Sequence, residues 1–166
     1  MLKDLITAEE ARQLFSYNPD TGDLTRRSRK QNVFVEGVVG TPNNYGHLVV
    51  GAMGKTYLAH RIAWLIVTGE WPAIGIDHVN GCSRDNRWCN LRLATKSQNA
   101  MNRGVQSNNA SGLKGVSWHK ASKKWQAHIS VNGRGKYLGL YEKASEAHAA
   151  YCTAAKELHG DFANTG

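Results

Sequence analysis

Cysteine is scarce in this 166-residue chain, and the three that occur, Cys82, Cys89 and Cys152, form no CxxC pair. That spacing excludes the paired-cysteine zinc sites that staple many small domains. No stretch approaches the roughly eighteen consecutive apolar residues of a membrane span. A secretory signal is missing as well, and unpaired thiols without one lead us to expect a reducing cytoplasm. Repeats are absent, and the one polar, biased stretch is GVQSNNASG, Gly104 to Gly112. The most telling absence is of acid. Between Asn86 and Tyr141 there is no Asp or Glu, while ten Lys and Arg occur, from Arg87 to Lys136. A solvated surface mixes signs. An acid-free run this long, in a chain of net charge +8 and pI near 9.6, points to contact with phosphates.

What is present is most informative from Ile76 to Arg103, IDHVNGCSRDNRWCNLRLATKSQNAMNR. Ile76 to Val79 has the pattern of a short strand closed by the turn pair Asn80-Gly81. Leu91 to Ala94 alternates as a second, half-buried strand. Thr95 and Gln98 have the spacing of a capping box, which predicts a helix running to about Arg103 with Gly104 to end it. Neighbouring strand residues point to opposite faces, so Asp77 and His78 are not both simple core residues. If Asp77 faces the helix, its carboxylate and the Asn99 amide oxygen can share one hard cation such as Mg²⁺, with Asn102 a competitor for the role of Asn99. His78 is the natural base to deprotonate an attacking water. One divalent ion and one base are the minimum for hydrolysing a phosphodiester.

The segment resembles the HNH endonucleases, in the phage and mobile-element branch whose third position is Asn. The resemblance extends to His60-Arg61-Ile62-Ala63-Trp64, Thr68-Gly69-Glu70-Trp71-Pro72, Asp85-Asn86-Arg87 and Asn90-Leu91-Arg92. It implies that Asp77 and Asn99 are metal ligands and that His78 is the general base. By the same resemblance Asn90 is catalytic, ordering the loop and holding the His78 ring. Asn instead of a third His favours Mg²⁺ or Mn²⁺ over softer ions.

Further on, Lys124 to Val131 alternates without a break, with Trp125, Ala127, Ile129 and Val131 on one face. Asn132-Gly133 turns it into a return strand from Lys136 to Leu140, and Leu113 to Lys120 reads as an earlier strand. Lys143 to His159 reads as a helix whose alanines allow close packing, ended by Gly160. Three strands on one helix leave a basic, polar face free for a DNA groove. This part resembles the plant apetala-type, ethylene-response-factor DNA-binding domain. Carried over by position, the implied DNA-facing residues are Lys114, Ser117, His119, Lys124, His128, Ser130, Arg134, Lys136 and Tyr137. Positions that hold Arg in the plant domain are Ser, His or Lys here, which implies altered base specificity. Trp125 reads as core, and Trp118 stays open between core and base stacking.

Upstream, Thr7 to Phe15 reads as a capped helix, Phe15 to Leu24 as a hairpin, and Leu48 to Leu58 as a second hairpin over Met53-Gly54-Lys55. A helix from His60 to Val67 follows, ended by Gly69, with His60 and Arg61 read as bracing. Arg26, Arg27, Arg29 and Lys30 form a basic patch.

The expectation is an α+β chain. Residues 1–104 would form the nuclease domain, with a strand-strand-helix metal core at about 74–104. A linker at 105–112 would lead to a small three-stranded antiparallel sheet packed on one helix at 113–166. The expected function is a homing-type, metal-dependent DNA endonuclease, with a DNA-binding regulator carrying an inactive nuclease as the alternative. Duplex DNA is the expected partner. RNA is less favoured because an exposed aromatic platform for single strands is not evident. Monomer and homodimer stay open. If the chain is phage-encoded, the bacterial cytoplasm is the expected location.

Overall fold

The computed structural model describes residues 5–26 and 39–166. Of the N-terminal basic patch, Arg26 is described, and Arg27, Arg29 and Lys30 lie outside the described residues. Short helices alternate with small sheets, as in an α+β chain. Two compact units divide between Leu93 and Ala94, ahead of the polar stretch read as linker.

In the first unit, α1 (Ala8–Leu14) starts at the predicted Thr7 cap, whose hydroxyl and Glu10 form a complete capping box. Its chain continues directly into β1 (Phe15–Tyr17), paired antiparallel with β2 (Leu24–Arg26). A short strand, β3 (Thr41–Pro42), was not anticipated; it pairs with β4 (Leu48–Ala52), which forms the expected hairpin with β5 (Lys55–Leu58). The helix α2 (Ala59–Thr68) then runs to Gly69, which closes it in the left-handed region at φ 83°. Two apolar clusters explain why α2 is apolar nearly all round. Ala59, Ile62 and Leu65 pack with Ile6, Phe15, Leu24 and Val50, while Ala63 packs with Ile76 and Leu91. Each large side chain buried this way contributes about 1.5–3 kcal/mol. On that second face lie β6 (Gly75–His78) and β7 (Leu91–Ala94), paired in a two-stranded sheet.

The second unit begins with α3 (Lys96–Met101), capped by Thr95 and Gln98 as the spacing predicts. It stops at Met101, two residues short of Arg103, and needs no glycine terminator. The Lys114 ammonium donates to the Met101 carbonyl (2.8 Å) and the Asn164 amide to the Asn102 carbonyl (2.9 Å), so side chains from elsewhere satisfy the helix end. The strand expected from Leu113 starts only at Val116, because Asn109 and Ser111 fold the lead-in: Asn109 Nδ2 donates to the Leu113 carbonyl (2.9 Å) and Ser111 Oγ to the Val116 carbonyl (2.9 Å). Strands β8 (Val116–His119), β9 (Lys124–Val131) and β10 (Arg134–Tyr141) form one antiparallel sheet with β9 central. Asn132 and Gly133, at φ 50° and 77°, make the tight turn between the last two. Helix α4 (Ala144–His159) packs Ala147, Tyr151 and Ala155 against Val116, Ala127 and Ile129. At Gly115 a Cβ would sit 2.0 Å from the Tyr151 ring, so only glycine admits this approach.

Candidate active site

Between β6 and β7 the chain makes a loop in which Asn80, Asp85, Arg87 and Asn90 bond to one another and to the loop backbone. Asn80 Oδ1 accepts from the Cys82 amide (2.9 Å), and its Nδ2 donates to Asp85 Oδ2 (2.7 Å). Arg87 donates from Nε and Nη2 to the two oxygens of Asp85, at 2.8 and 2.6 Å. That bidentate clasp holds the Asp85 carboxyl well below the usual carboxylate range. Asn90, at the end of a single 3-10 turn, accepts from the Asn80 amide (2.9 Å) and donates to the Asp85 carbonyl (2.7 Å). The loop is also tied to the N-terminal hairpin. Tyr17 Oη donates to the Asn86 carbonyl (2.7 Å), the Trp88 amide donates to the Pro19 carbonyl (2.9 Å), and a Cβ on Gly22 would lie 2.4 Å from the Arg87 nitrogen. Burial of the Tyr17 phenol pushes its pKa up to about 12.

This frame presents two adjacent buried groups on β6, Asp77 and His78, 7% and 5% exposed. Asp77 Oδ2 receives both Nε (2.9 Å) and Nη2 (2.7 Å) of Arg92 from the neighbouring strand. The His78 ring donates from Nε2 to the Asn86 side-chain oxygen at 3.0 Å, and Asn86 is itself 2% exposed. The resemblance assigned the holding of that ring to Asn90. In the structure the amide at His78 Nε2 belongs to Asn86, four residues earlier, and the Asn90 side chain joins the two ends of the loop. Around His78 stand two further rings: His60 at 5.0 Å and His47 at 5.6 Å between centroids, with His47 and His60 5.1 Å apart. Asn99 lies on α3 with the second unit, half-buried, its backbone amide on the Thr95 carbonyl. Arg61 lies over the Trp71 ring at 5.6 Å, a bracing contact.

The HNH endonuclease family profile matches residues 57–101. Over 105 residues, 63% of this chain and 86% of the relative, it is 32% identical to Protein 3.8 of Escherichia phage T7. The chain belongs to the HNH endonuclease family. An uncharacterized HNH endonuclease of Acanthamoeba polyphaga mimivirus is also 32% identical, over 71% of this chain and 61% of that one. Among solved structures, the HNH homing endonuclease I-HmuI is similar at a TM-score of 0.40 and 21% identity, covering 87% of this chain and 84% of that one.

The HNH match ends at residue 101, and the remaining expected site residues lie beyond it. Ser117, His128, Ser130, Arg134, Lys136 and Tyr137 are exposed, and β9 and β10 set Tyr137 opposite His128. His119 is half-buried with Ser122 on its Nδ1 (3.1 Å), and Lys124 pairs with Glu142 (2.8 Å), an acid just past the acid-free run. Lys114 departs from the set. Its ammonium is turned toward Met101 and the Tyr151 ring, and burial pushes its pKa down to about 8. Two large aromatics of the sheet are exposed, Trp118 at 48% and Tyr137 at 58%, on the strands either side of β9. Trp118 sits near the end of an edge strand, edge-on to Trp125, and the β9–β10 register shifts between Tyr137 and Gly139. Cys82, Cys89 and Cys152 are free. Among the described residues no helix is long and apolar enough to cross a membrane.

Sequence reasoning gave no role to Asn86, Arg92 or His47. Asn86 lay within the quoted Asp85-Asn86-Arg87 segment but carried no role, because nothing local to the sequence separates a ring-holding amide from a turn amide. His47 had no signal at all; it reaches the site only through the hairpin that precedes α2.

Proposed function

We propose that this HNH-family chain is a metal-dependent DNA endonuclease of the homing type, hydrolysing phosphodiester bonds and nicking duplex DNA near a sequence held by its C-terminal unit. The observation that carries the reading is His78, a buried imidazole fixed by Asn86, beside a buried carboxylate and inside the family-matched segment. With the Asn86 oxygen on it, Nε2 carries the ring proton and Nδ1 is the basic nitrogen, which takes the proton of the attacking water. The donor chemistry fits a hard cation, since a carboxylate and a carboxamide both offer hard oxygen ligands. Asp77, with Asn99 as the second donor that the resemblance assigns, would hold Mg²⁺ or Mn²⁺, which neutralises charge on the scissile phosphate. The basic residues Arg134 and Lys136, with Ser117, His128, Ser130 and Tyr137, support a duplex-binding role for the second unit of the kind found in the apetala-type domain. The phage relative is in keeping with action in a bacterial cytoplasm.

Supercoiled plasmid tests this. With Mg²⁺ the wild type gives nicked circles before linear DNA, a chelator stops it, and His78→Ala removes cleavage while still retarding DNA on a gel. Linear product with no nicked intermediate refutes nicking by one site per chain. The Asp77–Arg92 ion pair favours a second reading, because a guanidinium occupies the oxygen that a cation would take. A chain that binds DNA yet cuts none with Mg²⁺ or Mn²⁺ is a DNA-binding regulator with an inactive nuclease fold.

A further inference from the structure

Three histidines of the first unit converge from separate elements. His47 is fixed at the entry to β4, where its amide donates to Asn43 Oδ1 (3.1 Å) and its carbonyl accepts from the Asn43 amide (2.8 Å). His60 opens α2 and is 4% exposed, and His78 ends β6. One nitrogen from each ring lies within 4.8 Å of the other two. The Nδ1 atoms of His47 and His60 are buried and have no hydrogen-bond partner. An orphaned buried nitrogen costs on the order of 1–3 kcal/mol, so these two are retained at a cost to folding.

We infer that His47, His60 and His78 form a site for a borderline transition-metal ion such as Zn²⁺, and that its occupation takes the His78 lone pair away from water. The second half of this inference rests on the reading of His78 as general base. Three neutral imidazoles and one open position are a common donor set for Zn²⁺, whereas Mg²⁺ takes oxygen ligands. A tetrahedral ion with Zn–N bonds of about 2.0–2.1 Å sets its ligands roughly 3.3 Å apart. With every edge within 4.8 Å, closing the group takes at most about 1.5 Å, within reach of side-chain rotation. The cysteines of the loop are not part of this group; among the described residues it is the three histidines that cluster.

The test uses the full-length, metal-free chain. Titration with Co²⁺, followed by its visible ligand-field absorption, and with Zn²⁺ against a chromophoric chelator reads affinity and stoichiometry without DNA. One ion per chain is expected, with four-coordinate Co²⁺ absorption. His47→Gln and His78→Gln should each weaken binding by more than the roughly tenfold to hundredfold that loss of an outer-shell partner costs. Cys82→Ser with Cys89→Ser should leave it unchanged. Thermal melting of His47→Gln, the least buried ligand, confirms that the variant is folded. The inference is overturned if no ion binds, if His47→Gln binds as the wild type does, or if the cysteine pair abolishes binding. In nicking assays with saturating Mg²⁺, Zn²⁺ should inhibit with the midpoint found in the binding titration. A chain that cuts DNA with Mg²⁺ but binds no Zn²⁺ removes this site and leaves the nuclease. One that binds Zn²⁺ through the histidines and cuts nothing keeps the site and removes the nuclease.

Discussion

The loop between β6 and β7 and the outer face of the β8–β10 sheet use polar residues in opposite ways. In the loop, Asn80, Asp85, Asn86, Arg87 and Asn90 bond mainly to one another and to the backbone, and the outcome is one oriented imidazole. On the sheet, Ser117, His128, Ser130, Arg134 and Lys136 are exposed, and the clear ion pair, Lys124 with Glu142, is a solvent-exposed one. Chemistry on a single bond demands a few atoms fixed to fractions of an ångström. Attraction to a polyanion demands summed charge, and any one contributor is replaceable. The first arrangement fails abruptly when a member is lost, and the second fades by degrees.

The sharpest way to break this contrast is His78→Ala. Loss of a positioned base should lower the nicking rate by about 10²–10⁴-fold, measured by single-turnover cleavage, while gel retardation persists. A surviving rate would return the site to the level of the sheet, one contributor among many. Next comes Asn86→Leu, which removes the amide from His78 Nε2. Cleavage should fall about 10- to 100-fold in kcat with little change in KM, and Asn86→Asp should shift the acidic limb of the pH–rate profile upward, because an anion beside the ring favours its protonated form. An unmoved profile would make Asn86 merely structural. On the sheet, Lys136→Ala should weaken duplex binding only several-fold and lower the log K against log salt slope by about 1, read by fluorescence anisotropy at several salt concentrations. A loss confined to one DNA sequence would instead mark Lys136 as a base reader. Tyr17→Phe should cost about 1 kcal/mol in urea unfolding, since the Asn86 carbonyl loses its donor.

The smallest effect should come from Lys114. Its folded pKa, pushed down to about 8, lies below its ordinary value. Between those values the unfolded chain binds more protons, so stability rises with pH through that window and is lower on the acid side. Lys114→Met should remove this slope. Because the ammonium is only partly buried, the change is expected to stay under about 1 kcal/mol, as read by melting at a pH on either side of the window.

Much of the architecture was legible because its signals are local. Thr7 with Glu10 and Thr95 with Gln98 announce their helix starts, Asn132-Gly133 announces its hairpin, and the alternation from Lys124 to Val131 announces the central strand. Where tertiary contacts take over, the reading drifted. Met101 ends its helix because Lys114 and Asn164 supply donors near that end, and β8 starts late because Asn109 and Ser111 tie up the carbonyls of Leu113 and Val116. The site divides along the same line. Asp77 and His78 are neighbours in sequence and were found by pattern. The partners Asn86, Arg92 and His47 are set by the meeting of strands and loops, which no spacing rule encodes.

The hairpin of β1 and β2 reaches the loop through Tyr17, Pro19 and the bare Cα of Gly22, and all three precede residue 57, where the family match begins. The portable motif is therefore not self-supporting in this molecule. A transplant of residues 57–101 into another scaffold would carry the reactive groups and leave their scaffolding behind. Any graft meant to keep the imidazole aligned should include the chain from about Phe15 onward.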